Sequence, residues 1–189
     1  MAAAPACSAD RPSRPLDNVG GQRGCRLGRL LRVRRASLQV FADGAAYDPA
    51  TDRWRPLAPA PIAGRHAHDA VWTGEELLVF GGLTATGTSR EAAAYRPDRD
   101  QWRRLADLPF PRAHGQTVWT GRQALSALGS DITEESLTDV ITYDPTGDRW
   151  HVIPGHHVAA GTAVWTGTQV LTIGQDPTGA RPASWSWRP

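Results

Sequence analysis

Lysine, cysteine and long hydrophobic runs are scarce or absent in this sequence of 189 residues. There is no lysine, and the two cysteines, Cys7 and Cys25, both precede residue 40. Residues 41–189 therefore hold neither a disulfide nor a thiolate metal site. No apolar run reaches the roughly 18 residues of a membrane-spanning helix, so no transmembrane segment is expected. Phosphate-binding loops, zinc signatures and nucleophile elbows are also absent, and we expect no cofactor, no metal and no catalytic residue.

Arginine supplies all 21 basic residues, and its distribution along the chain is uneven. Residues 1–40 carry eight arginines and two aspartates, whereas residues 41–189 carry thirteen arginines and seventeen acidic residues. The formal charges of the two segments are therefore +6 and −4. Because a segment with a net negative charge repels phosphates, no nucleic-acid partner is expected.

The first residues leave the cellular compartment open. The stretch MAAAPAC has the small residues and the cysteine of a lipoprotein cleavage site, but no charged or apolar signal region precedes Cys7. The chain is thus expected to be cytoplasmic as encoded, and extracytoplasmic or a lipoprotein if translation starts upstream of Met1.

A repeat runs through the rest of the chain. The phrase VWTG occurs at residues 71–74, 118–121 and 164–167. Two aromatic series recur with a spacing of 48 residues, namely Tyr47, Tyr95, Tyr143 and Trp54, Trp102, Trp150. A fixed period in the forties is typical of a repeat architecture.

Each repeat has the pattern of four short antiparallel strands. Short apolar runs alternate with Gly, Pro and Asp, which is typical of strands and not of helices. The Thr-Gly of VWTG suits a hairpin in which Gly74, Gly121 and Gly167 take positive φ. The stretches DPATD, RPDRD and DPTGD suit turns in which proline fixes φ and aspartate caps the turn amides. This order of strands and turns predicts the blade of a β-propeller.

The aromatic residues predict how such blades hold together. Each buries about 150–250 Å² when packed, and a lone sheet has nothing to cover that surface. We therefore expect nine aromatic side chains to be buried between neighbouring sheets: Tyr47, Tyr95, Tyr143, Trp54, Trp72, Trp102, Trp119, Trp150 and Trp165.

The repeat resembles the kelch repeat. Phe80-Gly81-Gly82, Tyr95-Arg96-Pro97 and Trp102 follow the order of its hallmarks: an apolar strand with a Gly pair, a Tyr-Asp-Pro turn, and a Trp seven residues after the Tyr. In the next unit we align the Gly pair with Gly129-Ser130. The resemblance implies an all-β fold, a kelch-type β-propeller, over residues 41–189.

The repeat count predicts an incomplete propeller of about three four-stranded antiparallel blades. Residues 1–40 are expected to form a disordered basic tail, and the blade parts are residues 41–58, 62–107, 109–153 and 158–189. Closed propellers have about four to eight blades. The chain is therefore expected to be an open arc, to complete a ring by self-association, or to be a truncated gene fragment without independent function.

Strand alternation places the longer loops on the face opposite the TG and DPxxD turns. Variable loops on a rigid scaffold are the usual place for recognition. The residues expected to bind a ligand or partner on or near this face are Arg65, His66, His68, Arg112, His114, Glu134, Glu135, His156 and His157.

Three functions remain open at this point. The first is a non-catalytic kelch-repeat module that recognises a protein or glycan through the longer-loop face. The second is a remnant of an extracytoplasmic galactose oxidase-like or other carbohydrate-active enzyme, although the oxidase chemistry implies a Tyr linked to a Cys and no cysteine lies in the repeats. The third is the gene fragment.

Overall fold

A computed structural model describes residues 40–130, 137–155 and 158–189, together with the backbone of one short strand at residues 25–27. These residues are all-β with no helix, as expected, and every pair of strands is antiparallel. The same residues accordingly contain no helix that is long and apolar enough to cross a membrane.

The strands form four sheets that follow one another along the chain. The first sheet has the order β1 (Cys25–Leu27), β2 (Gly44–Asp48), β3 (Arg53–Pro56). The second has β4 (Asp69–Trp72), β5 (Leu77–Phe80), β8 (Ala92–Arg96), β9 (Gln101–Arg104), with a separate hairpin of β6 (Leu83–Thr84) and β7 (Gly87–Thr88) between β5 and β8. The third has β10 (Gln116–Trp119), β11 (Ala124–Ala127), β12 (Val140–Asp144), β13 (Arg149–Ile153), and the fourth has β14 (Ala160–Trp165), β15 (Val170–Gln175), β16 (Pro182–Trp187).

The two ends of the chain differ from the regular pattern. In the first sheet, β1 lies inside the range 1–40, which we expected to be a disordered tail, and pairs with β2 through Arg26 and Ala45, so this sheet has three strands. An added strand gives partners to backbone groups that β2 would otherwise present at an open edge. The fourth sheet also has three strands, and among the described residues no strand of it pairs with the first sheet.

Both kinds of predicted turn, the TG turn and the DPxxD turn, are present in the structure. Gly74, Gly121 and Gly167 have φ of 104°, 90° and 94°, a region in which a Cβ would be strained. The stretches RPDRD and DPTGD each end in an aspartate with positive φ, which is 51° at Asp100 and 47° at Asp148. Aspartate tolerates this conformation better than most residues because its short polar side chain bonds locally.

The hydrophobic core lies between successive sheets. Leu78 and Phe80 of β5 pack with Ile141 and Tyr143 of β12, and the ring of Trp150 meets Phe80 edge-on at 4.9 Å between centroids. A second cluster joins the third and fourth sheets, and a smaller one joins the first and second. The four sheets are therefore stacked face to face in chain order.

A tryptophan fastens each interior sheet to the sheet before it. Trp102 Nε1 donates to the carbonyl of Ala58, and Trp150 Nε1 donates to the carbonyl of Ala106, both at 2.8 Å. The two acceptors follow the last strand of the preceding sheet and are 48 residues apart. The 48-residue period thus appears as a repeated contact between sheets.

Most of the expected inter-sheet aromatic residues are buried or half-buried against the core. Tyr95 and Tyr143 are fully buried, and four half-buried tryptophans pack against core clusters: Trp102, Trp119, Trp150 and Trp165. The prediction is wrong for Trp54, whose exposed fraction is 54%. It lies in the first sheet, on a face that no sheet of the described residues covers, and its ring contacts Tyr47. Trp72 is half-buried outside the core clusters.

Candidate functional site

Five of the nine predicted site residues come together where the second and third sheets meet. The other four, Glu134, Glu135, His156 and His157, lie outside the described residues. Arg65, His66 and His68 lie in the segment that leads into β4, and Arg112 and His114 lie in the segment that leads into β10.

Backbone hydrogen bonds join these two segments. His114 N–H donates to the Ala67 carbonyl at 2.9 Å, and Gly82 N–H donates to the Arg112 carbonyl at 2.8 Å. His66 pairs with Leu83, the first residue of the β6–β7 hairpin. The first strands β4, β10 and β14 also lie beside one another. The longer loop after β5 is therefore held between the two segments that carry the predicted site.

Arg65 is a buried support for this loop. Its exposed fraction is 5%, and its Nη1 donates to the Gly81 carbonyl at 2.7 Å. Its Nε donates to the Ala63 carbonyl at 2.9 Å, and its Nη2 forms an ion pair with Glu91 at 2.5 Å. Because the donors are already used inside the protein, Arg65 holds the loop in place and does not present its charge at the surface.

Arg112 occupies the equivalent position in the third sheet. It is fully buried and donates through Nη2 to the carbonyl of Leu128, sixteen residues further on, just as Arg65 donates to Gly81. Leu128 has φ of 62° and Gly81 has φ of 65°. These left-handed residues end the second strand and let its last carbonyl accept from the arginine.

The equivalence corrects the alignment of the Gly pair. The register pairs Trp72 with Leu77 and Trp119 with Ala124, which makes Gly81-Gly82 equivalent to Leu128-Gly129 and not to Gly129-Ser130. The sequence misleads here because Leu128 takes a backbone conformation that normally selects glycine.

Asp69, which sequence reasoning did not single out, is the acidic centre of this region. It is 4% exposed, and its Oδ2 accepts hydrogen bonds from Ser126 Oγ at 2.5 Å and Thr117 Oγ1 at 3.0 Å. A Cβ at Gly115 would lie 2.3 Å from the same oxygen. Burial raises the pKa of Asp69, and the nearby charge of Arg112 opposes that rise. The only signal in the sequence was an acid at the start of an apolar strand.

Several buried polar atoms in this region have no hydrogen-bond partner among the described residues: His66 Nδ1, His68 Nδ1, Asp69 Oδ1, Arg112 Nε and Arg112 Nη1. Burial, followed by the charges of Arg65 and His66, lowers the pKa of His68. In the part of the chain that is described, no three His, Cys, Asp or Glu side chains are grouped so as to hold a metal ion. The region is a partly buried group of polar side chains, and His114 is its exposed member.

A cleft opens beside this region, lined by residues of the segment before β2, of the segment between β3 and β4, and of the second sheet. Its lining includes Phe41, Ile62 and Trp102, together with Arg65 and His68. The cleft is therefore mainly apolar and borders the loop that leads into β4.

No protein-family model matches the chain, and no curated protein sequence matches it.

Proposed function

We propose that the chain is a non-catalytic binding module of the kelch-repeat type, an incomplete β-propeller that recognises a protein or glycan through its longer-loop face. Support comes from the order of its strands, from the face-to-face stacking of four sheets in chain order, and from the 48-residue period of the contacts between them. Such a scaffold holds variable loops in fixed positions, which suits recognition.

The observation that carries this proposal is that Arg65 and Arg112 both hold the base of a loop. Each guanidinium is buried and donates to the carbonyl that ends the second strand of its sheet. The loops that follow these strands are thereby anchored at their bases. Ala85 and Thr86, at the tip of the β6–β7 hairpin, are exposed beyond that anchor. A rigid base with an exposed tip favours binding because little conformational entropy is lost when a partner docks.

The tyrosines give the oxidase alternative little support. All three tyrosine hydroxyls donate to the aspartate five residues later, at 2.7 Å for Tyr47, 2.5 Å for Tyr95 and 2.7 Å for Tyr143. These hydroxyls hold turns at the edge of the sheets that is opposite the longer loops. The binding role is therefore the function that we propose.

Two threonines at hairpin tips make a matched test. Thr86 lies in the longer-loop hairpin, and Thr168 lies in the TG turn of the fourth sheet; both are exposed. Ligands are first found by glycan array and by affinity capture with mass spectrometry, using the full chain. T86R is expected to lose at least tenfold in affinity for the ligand found, because the arginine obstructs the loop face, while T168R retains wild-type affinity. Equal affinity of wild type and T86R, or loss in T168R alone, would refute the proposed face.

A further inference from the structure

The stacked sheets use one interface repeatedly. In the second sheet, Leu78 and Phe80 point to the face that packs on the third sheet; we call this the leading face. In the third sheet, Tyr143 and Trp150 point back to the second; we call this the trailing face. The contact between Phe80 and Trp150, at 4.9 Å, is a central part of this interface.

The fourth sheet presents a leading face that is uncovered. Ile173 is the equivalent of Phe80. Trp72 pairs with Leu77 and Trp165 pairs with Val170. Phe80 and Ile173 each lie three residues after these partners. Phe80 is fully buried, whereas Ile173 is 62% exposed. Val164 on the same face is 51% exposed. In the described part of the chain, no sheet packs against these side chains.

The first sheet presents a trailing face that is also uncovered. Trp54 is the equivalent of Trp150, because it pairs with Tyr47 as Trp150 pairs with Tyr143, and both pairs of rings are in contact. Trp150 is half-buried against the second sheet, whereas Trp54 is 54% exposed. The described residues thus end in two exposed surfaces that are the two halves of one repeated interface.

We propose that these two surfaces bind each other between two copies of the chain, with Ile173 of one copy packed on Trp54 of the other. The occupant is a second copy because the chain itself carries the complementary face, and corresponding faces pack on each other at the three interfaces within the stack. Each copy contributes four sheets to the stack, so two copies contribute eight, and closed rings of stacked sheets contain about four to eight. The contact is head-to-tail, so it repeats until the ring closes. This inference is independent of the loop-face function.

Association is measured on the full chain by sedimentation equilibrium and light scattering. The wild type is expected to have at least twice the 20.4 kDa mass of one chain. I173R, V164R and W54R are each expected to sediment as single chains, since each places a charge in the contact. V152R is the matched control, because Val152 is 43% exposed on β13, outside both surfaces, and V152R is expected to keep the wild-type mass. Far-UV circular dichroism checks that each variant is folded; V164R replaces I173R if the latter is not.

A mixing experiment tests the head-to-tail geometry. Equal amounts of I173R and W54R retain one intact contact, from Trp54 of the first variant to Ile173 of the second, so the mixture is expected to recover a mass of two chains. A single-chain mass for the wild type would overturn the proposal. So would association of W54R alone, which would indicate a symmetric contact, or dissociation of V152R, which would indicate a different surface.

Discussion

Asp148 Oδ1 accepts the hydroxyl hydrogen of Tyr143 at 2.7 Å and also the backbone N–H of Ala106 at 3.0 Å. Tyr143 lies on β12, and Asp148 lies in the turn between β12 and β13 of the same sheet. Ala106 follows the last strand of the preceding sheet. One carboxylate therefore fixes a turn and fastens two sheets together. Asp100 repeats the arrangement with Tyr95 and Ala58.

Replacing Tyr143 with phenylalanine tests this linkage. The ring stays in the core, but the hydroxyl that donates to Asp148 is lost, and we expect the free energy of unfolding to fall by about 1 kcal/mol. Y47F is the control, because Tyr47 makes the same local bond to Asp52 in a more exposed setting and should lose less. Urea unfolding of both variants measures the difference. Equal losses would show that burial of the tyrosine does not strengthen the bond.

Replacing Arg112 with lysine tests the buried support. A lysine amine cannot reproduce the geometry with which the guanidinium reaches Leu128, and it leaves a buried carbonyl without its donor. We expect a loss of at least about 2 kcal/mol in the free energy of unfolding. R122K, in the exposed TG turn of the third sheet, should change it by less than about 0.5 kcal/mol. If the two variants are equally stable, Arg112 does not hold the loop.

The pKa of His68 predicts how stability depends on pH. Because burial and two neighbouring charges lower this pKa in the folded protein, the unfolded chain binds the proton more tightly. The contribution of His68 is therefore complete above the unfolded value of about 6.5 and decreases as the pH falls from there through the lower folded value. H68Q should flatten this part of the curve of unfolding free energy against pH, and H151Q, at an exposed position of β13, is the control for replacing a histidine. An unchanged slope in H68Q would contradict the burial of this imidazole.

The sequence predicted the strands and turns well because their signals are local. Gly74, Gly121 and Gly167 adopt the predicted positive φ, and Tyr95 and Tyr143 are buried as expected. Trp54 has the same local sequence signal as Trp102 and Trp150, but its burial depends on a sheet that would lie before it. No local pattern carries that information. Closure into a ring, by contrast, stays a prediction.

The candidate site was less predictable because the role of each side chain depends on how deeply it is buried. Arg65 and Arg112 were expected at a recognition surface, since arginine near a loop is usually exposed. In the structure both are buried. Arg65 donates to the backbone carbonyl of Gly81, and Arg112 donates to that of Leu128. Only the pairing of strands reveals this, because each donor and its acceptor are sixteen residues apart.

The central claim is that successive sheets stack face to face, and a double-mutant cycle between Phe80 and Trp150, where the second and third sheets meet, tests it most directly. F80L, W150L and the double variant are compared with the wild type in urea unfolding. These residues lie in different sheets, so any coupling must cross the interface. We predict a coupling energy of about 0.5–1.5 kcal/mol. Additive effects, with a coupling energy of zero within error, would contradict the stacking.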